Sequence, residues 1–174
     1  MLELFNALNS GTWDNTYNKV SFRMEGTTLL LQCSREPMDW WRNILIIPVV
    51  VKIGWTWMVI PLGLYLDFLE IYETAKALGP ERVAGYSTGA DLAALLAVAF
   101  QIRGYSFGCP NFLLFPTNKT LEAFDGVQFI ETDLDVVSKI PHVYRKGRKI
   151  TKLKTNIDIS FHAPDTYYKY LGGK

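Results

Sequence analysis

The sequence predicts an α/β fold of minimal size, with a mainly parallel sheet flanked by helices. Three observations carry this expectation. Strand-like and helix-like segments alternate along the 174 residues, the pattern of parallel strands joined by helical crossovers. Hydrophobic residues make up 49% of the chain and aromatics 14%, enough apolar matter for a core and too much for a disordered chain. The pentapeptide Gly85-Tyr86-Ser87-Thr88-Gly89 stands between a strand-like and a helix-like segment, where a G-x-S-x-G turn presents a serine. At this length one domain, residues 1–174, is expected.

Residues 1–18 are mixed and polar. They carry no charged-then-apolar leader, so no signal peptide is expected, and a cytoplasmic or membrane-surface location fits better than classical secretion. Residues 20–24 and 28–33 read as strands meeting at Glu25-Gly26-Thr27, a hairpin signal. Residues 34–43 form a short amphipathic stretch, and 46–51 a buried strand. Residues 62–78 read as a long apolar helix stopped by Gly79-Pro80. Residues 82–84 lead as a strand into the serine, and 90–100 leave it as a helix. In that helix Leu92, Leu95, Leu96 and Ala99 share one stripe at i, i+3, i+4 and i+7. Residues 105–107 end a strand, 127–131 form another, and 143–161 read as a hairpin turning at Lys146-Gly147-Arg148. Residues 167–170 close the chain. No repeat, low-complexity tract or linker interrupts this order.

Residues 44–66 are apolar over a length that could cross a bilayer, with Lys52 as the only charge. One alternative function follows: a membrane-embedded or membrane-active protein built on this segment. Pro48, Gly54, Pro61 and Gly63 break the run, and Lys52 falls near its middle, where a charge is costly. These features favour a strand and a helix start run together.

The formal net charge of +1 gives no reason to expect a nucleic-acid partner. No Cys/His cluster has ligand spacing, so neither metal nor cofactor is expected. Cys33 and Cys109 are too few for a disulfide scaffold. Asn118-Lys119-Thr120 fits a glycosylation acceptor, which matters only on a secretory route.

A serine nucleophile needs a base to take its proton and a carboxylate to orient that base. In α/β-hydrolases these follow in the order Ser, Asp or Glu, His. The chain has two histidines, His142 and His162, both after Ser87. His162 follows the alternation Ile157, Ile159, Phe161 and precedes Ala163-Pro164, so it falls at a strand end or loop, the better place for a base. His142 adjoins Pro141 and a basic run. Asp133 and Asp135 both lie past the 127–131 strand, and spacing alone does not separate them.

With these residues placed, the chain resembles the class 3, fungal-type lipases of the α/β-hydrolase superfamily. Four blocks agree in order across residues 20–170. Leu29-Leu30-Leu31-Gln32-Cys33-Ser34, followed by Asp39-Trp40, resembles the family's strand ending Phe-Arg-Gly-Ser/Thr and the acidic or amide residue and Trp after it. Val83-Ala84-Gly85-Tyr86-Ser87-Thr88-Gly89 resembles Val-Thr-Gly-His-Ser-Leu-Gly. Ser106-Phe107-Gly108-Cys109-Pro110 resembles Thr-Phe-Gly-Ser-Pro, and Asp135-Val136-Val137-Ser138-Lys139-Ile140-Pro141 resembles Asp-x-Val-Pro-x-Leu-Pro. The departures are Gln32-Cys33 for Arg-Gly, Tyr86 for His, Ala90-Asp91 for Gly-Ala, and Lys52-Ile53-Gly54-Trp55 for the family's His-x-Gly-Phe. The chain is also much shorter than typical members.

The resemblance implies a serine ester hydrolase, lipase or phospholipase-like, acting on an ester or lipid substrate. It implies Ser87 as nucleophile, His162 as base and Asp135 as the orienting acid. Ser34 and Thr88 would supply the oxyanion hole. The segment 36–45 would be a lid, with Trp40 and Trp41 contacting lipid; core packing is the alternative for both tryptophans. Cys33 and Cys109 would end strands on opposite sides of the nucleophile strand, ~10 Å apart and beyond disulfide reach. Residues 139–154 carry Lys139, Arg145, Lys146, Arg148, Lys149, Lys152 and Lys154 and no acid. That run is read as a solvated face or as a contact for a membrane or anionic lipid surface. A hydrolase fold used only for binding, without catalysis, is the remaining alternative.

Overall fold

The structure, a computed structural model, describes residues 1–10, 13, 15–17, 20–32, 47–133, 135, 144–145, 150–153 and 164–172. Alternation of side chains along the strands builds two apolar faces on one sheet. β1 (Asn15–Tyr17), β2 (Val20–Glu25) and β3 (Thr28–Gln32) run antiparallel, with β2 and β3 turning at Gly26, which sits at φ 58°. β3 then pairs in parallel with β6 (Arg82–Tyr86), β6 with β7 (Arg103–Phe107), β7 with β9 (Val127–Thr132), and β9 with β11 (Ile150–Leu153). The sheet order among the described residues is β1-β2-β3-β6-β7-β9-β11. The mainly parallel sheet flanked by helices is therefore as expected.

The period of two sorts the core. On one face Leu29, Leu31, Val83 and Phe129 pack against α2 (Leu62–Leu78) and α3 (Thr88–Phe100). On the other, Leu30, Ala84, Tyr86, Phe107 and Ile130 pack against α1 (Leu2–Asn9) and α5 (Pro164–Tyr170). α2 buries Leu64, Phe68, Ile71 and Ala75 at helical spacing. It ends at Gly79, left-handed at φ 60°, whose N–H bonds Ala75 O at 3.2 Å. α3 differs from its expected one-stripe pattern. Gly89 through Val98 are all buried, because the sheet covers one side while α2 and β4 (Pro48–Ile53) contact the helix elsewhere.

Of residues 44–66, the described 47–66 form β4, β5 (Thr56–Pro61) and the start of α2, a strand and a helix start as favoured, with a second strand between them. No described helix is long and apolar enough to cross a membrane. The strand expected at 46–51 is β4, two residues further on, and it pairs with β5 around Gly54 instead of lying in the main sheet. The hairpin expected over 143–161 is absent where it can be judged. β10 (Tyr144–Arg145) pairs with β8 (Leu113–Leu114), whereas β11 joins the main sheet beside β9. The polar-looking amino terminus forms α1, anchored by Phe5 and Leu8, and the closing segment is helical α5. The short α4 (Asn118–Ala123) opens with Thr117 Oγ1 accepting from Thr120 N–H at 3.1 Å.

Candidate functional site

Ser87 occupies the step from β6 to α3. Its backbone sits at φ 58° and ψ −128°, a conformation that an L residue holds only when its surroundings enforce it. They do so from both sides. Ser87 N–H donates to Phe107 O on β7 at 3.0 Å, and its carbonyl accepts from Ala90 N–H at 2.9 Å. The flanking glycines remove the obstacles. A Cβ on Gly85 would lie 2.0 Å from Gly89 O, and one on Gly89 would lie 2.6 Å from Leu31 O. Helix, turn and neighbouring strand thus approach to backbone contact. Gly104 on β7 makes the same kind of room, since a Cβ there would lie 2.8 Å from Ala97 Cβ. Ser106 Oγ donates to Ala90 O at 3.1 Å, adding a buried hydrogen bond between sheet and helix.

Thr88 begins α3, where the first backbone N–H groups have no acceptor within the helix and the helix dipole is positive. Ser87 and Thr88 are both half-buried. The turn therefore combines a hydroxyl at the carboxyl end of a parallel strand with amide donors beside it.

Asp135 follows β9, two strands along from β6 and at the same carboxyl edge of the sheet. It is fully buried, while Asp133 is exposed. Burial thus distinguishes two carboxylates that spacing left equivalent. The Tyr167 hydroxyl on α5 donates a buried hydrogen bond to Asp135 Oδ2. Phe5, Tyr86, Phe107 and Tyr167 pack together in one cluster, with Phe5 stacked on Tyr167 at 5.6 Å and Tyr86 edge-on to Tyr167 at 5.7 Å. Burial, and then the neighbouring Asp135 carboxylate, push both tyrosine hydroxyls well above their ordinary pKa. Both phenols are therefore neutral, and that of Tyr167 is held as a donor.

Two departures from the family blocks meet in space. The Cys109 thiol donates to Asp91 Oδ1 at 2.8 Å, both residues being buried beside the first turn of α3. Asp91 gains there from the positive end of the helix dipole. β3 and β7 flank β6 on opposite sides as expected. Cys33, Ser34, Trp40, Trp41, His142 and His162 lie outside the described residues. So do most residues of the basic run 139–154; of its charged side chains Lys152 is described, with Nζ 4.0 Å from buried Glu131. No group of metal-holding side chains occurs among the described residues. Tyr167 and Phe5 were not anticipated as parts of the site. Their only signals were an aromatic-rich closing segment and one phenylalanine in a short helix.

No protein-family model matches the chain, and no curated protein matches it in sequence. Its fold is shared with fungal lipases. The mono- and diacylglycerol lipase of Aspergillus oryzae superposes with a TM-score of 0.60, over 90% of this chain and 66% of its own, at 14% identity. The Rhizomucor miehei triacylglyceride lipase gives 0.54, over 83% of this chain and 65% of its own, at 13% identity. The Lip2 lipase of Yarrowia lipolytica gives 0.53, over 79% and 66%, at 11% identity. The chain spans just under two thirds of the length of each. The chain shares with these lipases its fold, a mainly parallel sheet flanked by helices.

Proposed function

We propose that the protein is a serine ester hydrolase, lipase or phospholipase-like. The observation that carries this reading is the strained Ser87 on its glycine-flanked elbow, at the carboxyl edge of a lipase-like sheet that also buries Asp135. Ser87 Oγ attacks the acyl carbonyl. His162 accepts the proton and returns it to the departing alcohol, while Asp135 fixes the imidazole and balances its transient charge. The Thr88 N–H and Ser34 hold the tetrahedral oxyanion. Water, activated by the same histidine, then releases the acid from the acyl-enzyme. In this reading Trp40 and Trp41 contact the lipid substrate. Ester or lipid substrates fit the reading, as the named activities of the structurally similar lipases do.

The test is hydrolysis of esters from short to long acyl chains by the protein and by Ser87→Ala. Loss of about 10⁴–10⁶-fold in the variant is expected. An equally active variant would remove Ser87 from the reaction, and a protein inactive on every ester, with vesicles or detergent present, would leave a binding role for the fold. The profile of chain lengths separates an esterase from a lipase.

A further inference from the structure

A strand with one face in water ordinarily alternates apolar and polar residues. The β4–β5 hairpin does not. Its inner face, Val51, Ile53, Met58 and Ile60, is buried in the core. Its outer face pairs Pro48 with Pro61, Val50 with Val59, and Lys52 with Trp57. Val50 is 68% exposed and Trp57 62%. Trp55 at the turn is 44% exposed and Ile47 before β4 is 55% exposed. Residues 47–61 contain no acidic side chain. The apolar hairpin therefore divides into a face buried in the core and a face left outward.

We propose that this outer face docks on an anionic phospholipid surface. Trp55 and Trp57 combine a large apolar body with an N–H donor, the chemistry of the headgroup boundary. Lys52 lies directly opposite Trp57, and its long stem lets the ammonium reach lipid phosphate while Val50 and Trp57 enter the acyl layer. A second cation, Lys119, sits 5.7 Å over the Trp55 ring from α4, whose Thr120 hydroxyl also ties to Trp57 O at 3.2 Å. Arg103 and Glu122 also line the cavity beside Trp55, one charge of each sign, while the hairpin itself carries only Lys52. Charge decides against a second copy as the occupant. Two such faces would press Lys52 against an apolar partner with no carboxylate on either hairpin to meet it, and an unpaired buried charge is costly. A bilayer supplies the missing anion. This inference stands apart from the hydrolase reading, since the hairpin turn at Gly54 packs by Val98, at the end of α3 away from Ser87, and none of its residues belongs to the Ser87 turn.

The test uses the full chain in cosedimentation with phosphatidylcholine vesicles, with and without phosphatidylglycerol. Binding is expected with the anionic vesicles and is weakened by salt. The double variant Val50→Thr, Trp57→Ser should bind at least about tenfold more weakly. Lys52→Glu should lose about fivefold or more and flatten the salt dependence. These positions are exposed, and unchanged circular dichroism would confirm intact folds. Absence of vesicle binding by the wild type overturns the proposal. So does binding that the double variant leaves unchanged but that neutralising Arg145, Lys146, Arg148 and Lys149 abolishes. Self-association that the double variant removes would assign the face to a second copy and overturn it as well.

Discussion

At Ser87 the backbone holds a conformation that costs about 1–3 kcal/mol, and two glycines make it attainable by letting α3 touch both its own turn and β3. Both meet backbone, which has no soft side chain to yield: Gly85 the turn at Gly89 O, and Gly89 the next strand at Leu31 O. Gly89→Ala should lower stability by about 1–3 kcal/mol through overpacking. It should also lower kcat more than it raises KM, because α3 and the Thr88 amide move together; urea unfolding and steady-state kinetics check both. Tyr167 acts on the reaction only through Asp135, so it is a positioning residue. A hydrogen bond to a charged group contributes about 1.5–3 kcal/mol, and Tyr167→Phe removes the one donated to Asp135 Oδ2. The expected outcome is a kcat reduced roughly tenfold with KM nearly unchanged. The acid limb of the kcat/KM profile should move to higher pH, since a carboxylate stripped of a donor holds protons more tightly, its own and its partner's. A simple loss of folding stability would leave that limb in place.

At the scale of elements, the readable ones were those whose local pattern matches their final surroundings. α2 has a stripe at helical spacing and a glycine stop, and both appear where the pattern puts them. The β2–β3 hairpin and the β6–Ser87–α3 unit carry their turn chemistry in glycines. The illegible elements take their structure from partners distant in sequence. β4 and β5 are apolar on both faces, so periodicity could not divide the run or show that Val50 and Trp57 point away from the core. β10 and β11 are short, lie either side of a basic turn signal, and yet pair with β8 and β9 respectively. α1 has eight residues, too few for its buried Phe5 and Leu8 to mark a period. The site divides the same way. The Ser87 elbow is local and was visible in five residues. The choice between Asp133 and Asp135 depends on what α5 covers, and the Tyr167 contact spans 32 positions. The Cys109–Asp91 bond joins two departures from the family blocks that looked unrelated along the chain.

For the whole molecule, the face of the sheet opposite α3 draws both ends of the chain together. Phe5 from α1 stacks on Tyr167 from α5, both pack against Tyr86 and Phe107 in one cluster, and Tyr167 donates from it to the buried Asp135 carboxylate. The arrangement has a consequence for alkaline stability. Both Tyr86 and Tyr167 have folded-state pKa values raised above the ordinary 10.0, first by burial and then by Asp135. A group raised in this way favours folding at pH values below its unfolded pKa. As the pH climbs past about 10, the unfolded chain releases the phenolic protons while the folded chain retains them, so stability falls with every further rise. Tyr86 and Tyr167 should therefore stay un-ionised above pH 10 in a spectrophotometric titration at 295 nm, and should ionise together with unfolding. Tyr167→Phe, although less stable near neutrality, should lose less further stability between pH 9 and 11 than the wild type, because one of the two linked protons is gone. Urea midpoints measured across that interval give the slope directly. Equal slopes for the two proteins would mean that Tyr167 ionises in the folded state as freely as in the unfolded chain, and that the carboxylate beneath it is open to water.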